Sequence, residues 1–242
     1  MANILLTGAS RGIGAAARVA LEQAGHSVIG QSTAGGDSLI AADFANPRAA
    51  DALWAKALEL AAATGERRID VLVNNAGVFE AADIADGDGF AATWARSHAI
   101  NLQSAADLCR HAVLHFQENG GGKGRGGRII NVASRAGHRG DSPQHWHYAA
   151  AKAGMLAMTK TIARGYAGQN ILAFAITPGF TMTGMAEEYL ASRGGDKLLA
   201  DIPLGRVASP QEVAEMIRWL ASDAPASMTG ATLDINGASY VR

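Results

Sequence analysis

The sequence predicts an α/β fold, a doubly wound parallel sheet of about seven strands with helices on both faces. Three observations carry this expectation. Short β-type runs alternate with longer helical patterns along the chain. The runs are apolar throughout, as strands buried on both sides are. The first of them leads directly into a glycine-rich turn that opens a helix. At 242 residues the chain has room for all of this in one large domain, residues 1–242.

The candidate strands, in order, are Asn3–Thr7, Ser27–Gln31, Leu39–Asp43, Ile69–Asn74, Arg128–Ala133, Ile171–Thr177 and Thr232–Ile235. Helical patterns occupy Gly12–Ala24, Pro47–Ala63, Gly89–Ala99, Leu102–Asn119, Tyr148–Ala167 and Pro210–Ala221. Pro47 and Pro210 fall where a first helical turn tolerates proline. Only seven residues, Ser32 to Ser38, separate Gln31 from Leu39. A helical crossover between parallel strands takes about a dozen, so the helix expected there is absent or reduced to a turn. Gly120–Gly127 is low in complexity and reads as a loop before a strand. Its basic residues Lys123 and Arg125, with Arg128 just beyond, are interleaved with glycine and read as a solvated turn.

Composition narrows the partners. A net charge of −1 gives no electrostatic reason for nucleic acid or an anionic membrane. No apolar segment approaches the roughly 18 residues of a spanning helix, and no signal peptide pattern opens the chain. The single cysteine, Cys109, excludes an intrachain disulfide and suits a reducing compartment; in its apolar helical setting it reads as a buried, inert thiol. The expectation is a cytoplasmic protein.

The chemistry-bearing residues come in a fixed order. Thr7-Gly8-Ala9-Ser10-Arg11-Gly12-Ile13-Gly14 joins the first strand to the first helix, where glycines allow phosphates close to the backbone and the helix N–H groups attract them. The strand ending Asn74-Asn75-Ala76-Gly77 carries amides that can either tie neighbouring strands or serve a ligand. Asn101 heads a helical pattern. Ser134 stands at the C-terminal end of a strand, the edge at which open α/β sheets bind ligands. Tyr148 and Lys152 are four apart on a helix, hence on one face about 6 Å apart, with Ala149, Ala150 and Ala151 between them. A phenol beside an ammonium is a proton donor.

Together these motifs resemble the short-chain dehydrogenase/reductases, and within them the 3-oxoacyl-(acyl-carrier-protein) reductase-like group. The likeness runs from Thr7–Gly14 through Asn74–Gly77, Asn101, Ser134, Tyr148–Lys152 and Pro178-Gly179 to Ile202–Val207 and Leu233–Gly237. It implies a Rossmann-type fold and a hydride exchange between a nicotinamide and a ketone or secondary alcohol. Tyr148 is then the proton donor or acceptor, and Lys152, helped by an oxidised nicotinamide, favours its phenolate and holds the nicotinamide ribose. Ser134 orients the substrate oxygen, and Asn101 holds a water that passes protons toward Lys152. The resemblance assigns cofactor contacts to Gly8, Ser10, Arg11, Gly12, Ile13 and Gly14, to Ser32 and Thr33, to Asp43 and Phe44 beside adenine, and to Asn75, Ala76 and Gly77 near the adenosine ribose. Pro178, Gly179, Phe180 and Thr181 match the segment over the nicotinamide amide. It also implies a homotetramer and a substrate lid at 182–201, with Gly184, Gly194 and Gly195.

Cofactor choice follows from charge. An acidic residue at the end of the second strand would bind a ribose 2′-hydroxyl and repel a 2′-phosphate. Gln31, Ser32 and Thr33 stand there, no carboxylate precedes Asp37, and Arg11 can pair with a phosphate. NADP is therefore preferred, with NAD the alternative. On the substrate side, Arg135–His147 is more polar and aromatic than the loop common in acyl-carrier reductases. Trp146 is expected to wall the substrate site, beside Ser134 and Tyr148, or to meet a neighbouring subunit. The histidines of this stretch read as surface or interface residues, with no metal site. Candidate substrates are a 3-oxoacyl thioester, a polyol, a steroid or a small cyclic ketone. The competing class is a non-catalytic nucleotide-binding regulator.

Overall fold

In the computed structural model, which describes residues 1–36, 38–119, 126–182 and 195–242, seven strands form one parallel sheet. They are β1 Asn3–Leu6, β2 Ser27–Ser32, β3 Leu39–Ala41, β4 Val71–Asn74, β5 Gly127–Val132, β6 Ile171–Pro178 and β7 Thr232–Ile235, in the order β3-β2-β1-β4-β5-β6-β7. The order reverses between β1 and β4, so the crevice outside their carboxyl ends is the place for a ligand. No described helix is long and apolar enough to cross a membrane.

Period-two alternation in the strands feeds two separate cores. Leu5, Leu72 and Ile129 face α2 (Ala49–Thr64), α4 (Ser104–Glu118) and α6 (Trp146–Tyr166), packing with Leu53, Trp54, Leu108, Phe116 and Ile162. Ile4, Leu6, Val73, Ile130 and Phe174 face the other way, onto Leu21 of α1 (Gly12–Gln23) and Val213, Ile217 and Leu220 of the last helix, Pro210–Ser222. That helix starts where its signals place it. Pro210 is its first residue, and Ser209 and Glu212 form a reciprocal cap: the Ser209 hydroxyl accepts from the Glu212 N–H at 3.2 Å, and the Glu212 carboxylate accepts from the Ser209 N–H at 2.8 Å.

Several expectations need correction. Helix α2 begins at Ala49, so Pro47 lies in the turn before it; Asn46 builds that turn by accepting the Arg48 N–H on its side chain and the Ala49 N–H on its carbonyl, each at 3.0 Å. Arg128 is not part of a solvated turn. It lies in β5, and its guanidinium donates to the carbonyls of Leu220 and Ala224 at 2.8 and 3.0 Å, satisfying the end of the last helix. Lys123, Arg125 and most of the Gly120–Gly127 loop lie outside the described residues, and Gly127 itself opens β5.

The missing crossover helix is confirmed among the described residues: β2 returns to β3 through a turn in which the Ser32 hydroxyl donates to the Gly35 carbonyl at 3.0 Å. Asp37 lies outside the described residues. Asn101 does not head a helix. Helix α3 (Gly87–His98) passes into α4 through one π-helical segment, Ala99–Gln103, and Asn101 sits in it, fully buried. Such segments insert a residue into a helix and recur at functional sites. Two short helices complete the chain order, α5 (Ala136–Arg139) after β5 and α7 (Gly195–Ala200) ahead of the final helix, which is α8.

Candidate active site

The carboxyl ends of β1, β4 and β5 assemble the site. At β1, Gly8 and Gly12 take positive φ of 65° and 54°. Gly14 has no room for a side chain, because a Cβ there would lie 1.9 Å from the Gly8 carbonyl oxygen. The turn is clamped from both sides. The Thr7 hydroxyl accepts the N–H groups of Asn75 and Ala76 at 2.9 and 3.0 Å, and the Asn75 amide donates to the carbonyls of Thr7 and Gly8 at 3.0 and 3.1 Å. From the other side, the buried Gln31 carboxamide accepts the Gly8 N–H at 2.9 Å and donates to the Ala42 carbonyl at 2.7 Å. Sequence reasoning placed Gln31 only as a neutral strand end; it locks the turn.

These residues fit a dinucleotide. The N-cap of α1, Arg11, makes no side-chain cap, and the first turn carries no acidic residue, so its N–H groups remain for an anion. Arg11 and Ser10 are exposed, as is Thr33. Asp43 is exposed and uses one carboxylate oxygen to accept the Ala45 N–H at 3.0 Å. Phe44 differs from the expectation: its ring is buried in the core, leaving only its backbone to flank a base.

At β5, the Lys152 ammonium is 4% exposed and donates to the Val132 carbonyl at 2.8 Å. Two of its three donors are left for other partners. The Ser134 hydroxyl lies near enough to the Tyr148 phenol to act on its titration, and the Ser134 oxygen accepts the Ala136 N–H at 3.1 Å. Asn101 is held by Val78: its carbonyl oxygen accepts the Val78 N–H and its amide donates to the Val78 carbonyl, both at 3.0 Å, with a third bond at 3.0 Å to the Ser97 hydroxyl. Gly77 brings these groups together. A Cβ added there would stand 2.7 Å from the Asn101 carbonyl oxygen and 3.6 Å from the Lys152 ammonium. The Lys152 ammonium in turn lies 5.8 Å from the Tyr148 ring centroid.

A family model described as enoyl-(acyl carrier protein) reductase matches residues 8–238. The chain is 38% identical to a 3-oxoacyl-[acyl-carrier-protein] reductase of Synechocystis sp. over 96% of its own length and 94% of that protein's. The chain belongs to the short-chain dehydrogenase/reductase superfamily. It is accordingly an oxidoreductase of the carbonyl/CH–OH pair that uses a nicotinamide dinucleotide. An acetoacetyl-CoA reductase of Rhizobium meliloti is 34% identical, over 98% of this chain and 97% of that one. Among solved structures, a protein of Agrobacterium tumefaciens described as a 2-deoxy-d-gluconate 3-dehydrogenase, with bound NADP, superposes with a TM-score of 0.82 at 28% identity, covering 98% of this chain and 95% of its own.

Within this short-chain dehydrogenase/reductase the second strand-end amide, Asn74, is structural. It donates to the Asn131 carboxamide at 2.8 Å, and Asn131 donates to the Thr159 hydroxyl at 2.8 Å, tying β4 to β5 and α6. Cys109 lies beside this chain, buried, its thiol pushed up to about 12 by burial; it is inert, as expected. On the nicotinamide side, Gly179 packs against Asn236, where a Cβ would meet the Asn236 Cα at 2.9 Å. Thr181 is buried and bridged to Ala208, and the Arg135 guanidinium lies 5.2 Å from the Phe180 ring centroid. Residues 183–194 of the expected lid, Gly184 and Gly194 among them, lie outside the described residues. After α7, Asp201 pairs with Arg135 at 3.3 Å and Arg139 at 3.1 Å.

The 138–147 stretch departs most from expectation. His147 is fully buried rather than at the surface, its Nε2 2.9 Å from the Glu80 carbonyl. Among the described residues no cluster of three metal-capable side chains is gathered. Trp146 is 53% exposed and meets Phe90 edge-on at 5.9 Å; two residues before Tyr148 on the same helix, it faces the other way. The ring that reaches Tyr148 is that of Phe79, not singled out from the sequence, backed by His145 of the 138–147 stretch. Phe79 stands perpendicular to Tyr148 at 4.9 Å, and His145 stacks on Phe79 at 3.8 Å. Only their places just after Gly77 and just before the helix of Tyr148 hinted at this.

Burial sets the charges of the pair. The Tyr148 phenol is pushed up to about 12 by burial, opposed by the Ser134 hydrogen bond and reinforced by Asp141. Burial alone pushes Lys152 down to about 8. Both shifts run toward the neutral form, because burial removes water from each group. The unfolded chain, with lysine near 10.5, binds more protons than the folded one between pH 8 and 10.5, so the contribution of Lys152 to stability rises with pH across that window. Replacing Lys152→Met removes this dependence. Urea denaturation is expected to show the variant gaining on the wild type at pH 7, with the gap narrowing by about 2 kcal/mol toward pH 10; a constant gap contradicts the assignment.

Proposed function

We propose that this chain reduces a ketone to the secondary alcohol, or runs the reverse reaction, with NADP(H). The observation that carries the reading is that Asn101 and Lys152 stand beside Gly77 while Tyr148 lies next to Lys152 and Ser134, on the same sheet edge as a glycine turn shaped for a pyrophosphate. Bound there, a reduced nicotinamide supplies the hydride that goes to the carbonyl carbon. Tyr148 donates its proton to the carbonyl oxygen, and the Ser134 hydroxyl holds that oxygen in line. Lys152 replaces the phenol proton. An ammonium near 8 is matched to that task at neutral pH, whereas a phenol near 12 stays protonated until the oxygen needs it. Asn101, whose carbonyl oxygen sits beside the Lys152 ammonium across Gly77, supports a water leading to that lysine. The free donors of Lys152 also suit the nicotinamide ribose.

Phosphate selectivity rests on Arg11, which is exposed beside the turn and makes no ion pair among the described residues, and on the neutral Gln31-Ser32-Thr33 strand end. The NADP held by the Agrobacterium protein points the same way. The relatives named as 3-oxoacyl and acetoacetyl reductases make a 3-oxoacyl compound a natural substrate class. Assembly as a homotetramer belongs to the same reading: Leu114 is exposed on α4 beside a groove lined by Val113, Met158, Ile162 and Tyr166. So does a reducing, cytoplasmic setting, which suits a single buried thiol.

Tyr148→Phe is expected to lower kcat by about a thousandfold while leaving the Kd for NADPH, measured by fluorescence, within a few-fold; full activity in this variant refutes the proton-donor role. Arg11→Ala is expected to weaken NADPH binding about tenfold and NADH binding little, and a wild-type kcat/KM that is higher with NADH defeats the cofactor choice. Sedimentation is expected to give a tetramer; a monomer at micromolar concentration overturns that part.

A further inference from the structure

We infer that the stacked rings of Phe79 and His145 form one wall of the substrate site, and that the site takes a carbonyl compound carrying an aromatic ring next to the reacting carbon. The inference rests on Tyr148 being the reacting group. Phe79 is held perpendicular to the Tyr148 ring, 4.9 Å between centroids and 84° between planes, and His145 lies parallel to Phe79 at 3.8 Å and 1°. Even so, Phe79 remains 38% exposed. A large apolar ring next to the proposed proton donor is thus left open to a ligand.

The wall is fixed before anything binds. Val78, preceding Phe79, is gripped at its N–H and its carbonyl by Asn101. Following it, the Glu80 carbonyl meets His147 Nε2 at 2.9 Å, and the Ala82 N–H donates to the Gln144 carbonyl at 2.9 Å. The His145 imidazole is held at Nδ1 by the Ser142 hydroxyl at 2.6 Å. Burial lowers the pKa of His145, with Asp141 opposing and His147 adding, so the ring stays neutral at physiological pH and presents a π-face rather than a cation. Rings ordered in advance lose little on binding. A ligand ring gains from offset or edge-on contact with them beyond what its area alone provides, which a linear or saturated acyl chain does not.

Three 3-oxo esters separate these effects: ethyl benzoylacetate, its cyclohexyl analogue of similar bulk, and ethyl acetoacetate. With NADPH, the phenyl ester is expected to be reduced with a kcat/KM about tenfold above the cyclohexyl ester. Phe79→Leu and, should that variant fail to fold, His145→Leu are expected to bring the ratio to within about threefold of unity. Equal values for phenyl and cyclohexyl esters in the wild type overturn the inference, while reduction of ethyl acetoacetate in the same assay leaves the reductase reading standing. If none of the three is reduced, the reductase reading fails for this class, and calorimetry with the protein and NADP⁺ decides the inference. Tighter binding of the phenyl ester, lost in His145→Leu, supports it; equal or absent binding overturns it.

Discussion

The two hydrogen bonds between the Asn101 carboxamide and the backbone of Val78 set the geometry on which the rest of the site depends. They join the long α3–α4 helix to the chain leaving β4. Because the Asn101 side chain is buried, losing these bonds would leave its amide unsatisfied, at a cost of about 1–3 kcal/mol. Asn101 reaches Val78 from a π-helical segment, where one inserted residue shifts its position relative to a regular helix. Gly77 then passes between Asn101 and Lys152 with no room for a Cβ, and Phe79 is delivered beside Tyr148. One amide thereby positions the surroundings of Lys152 and the ring of Phe79 together.

A second clamp serves the nucleotide side by the same logic. Thr7, Asn75 and Gln31 satisfy backbone groups of the glycine turn that regular strand pairing cannot reach. The turn is held from β4 on one side and from β2 on the other, so its positive-φ glycines are fixed without a bound anion. Gln31 explains why the short β2–β3 connection is tolerated: its amide also ties the exit of β3 at Ala42. A carboxylate in its place would lack the donor for the Ala42 carbonyl. The neutral strand end is in this way a structural requirement of the shortened connection as well as a feature of cofactor choice.

The fold was legible in the sequence because its strands are short, apolar and regularly spaced, and all seven lie within a few residues of their expected places. Tyr148, Lys152 and Ser134 were legible because their local positions, four apart on a helix and at a strand end, suffice to put them at the ligand edge. Asn101 was found, but its setting was not, since a π segment has no distinctive composition. Phe79, His145 and the burial of His147 were not legible for a different reason. Their roles arise from contacts between segments far apart in the chain, and a single phenylalanine or histidine carries no periodic signal. Trp146, two residues from Tyr148, points away from it on the same helix and rests on Phe90, so of its two expected places the outer face is the one its exposure suits.

The charges of the central pair show why proximity alone is a poor guide to protonation. A phenol beside an ammonium suggests a stabilised phenolate, yet both groups lose water, and desolvation drives each toward its neutral form. The result is asymmetric: the Tyr148 phenol keeps its proton well above neutral pH, whereas Lys152 gives up its own more readily than a solvated lysine. Opposite shifts thus have one cause, burial, and any positive charge brought beside the phenol works against it.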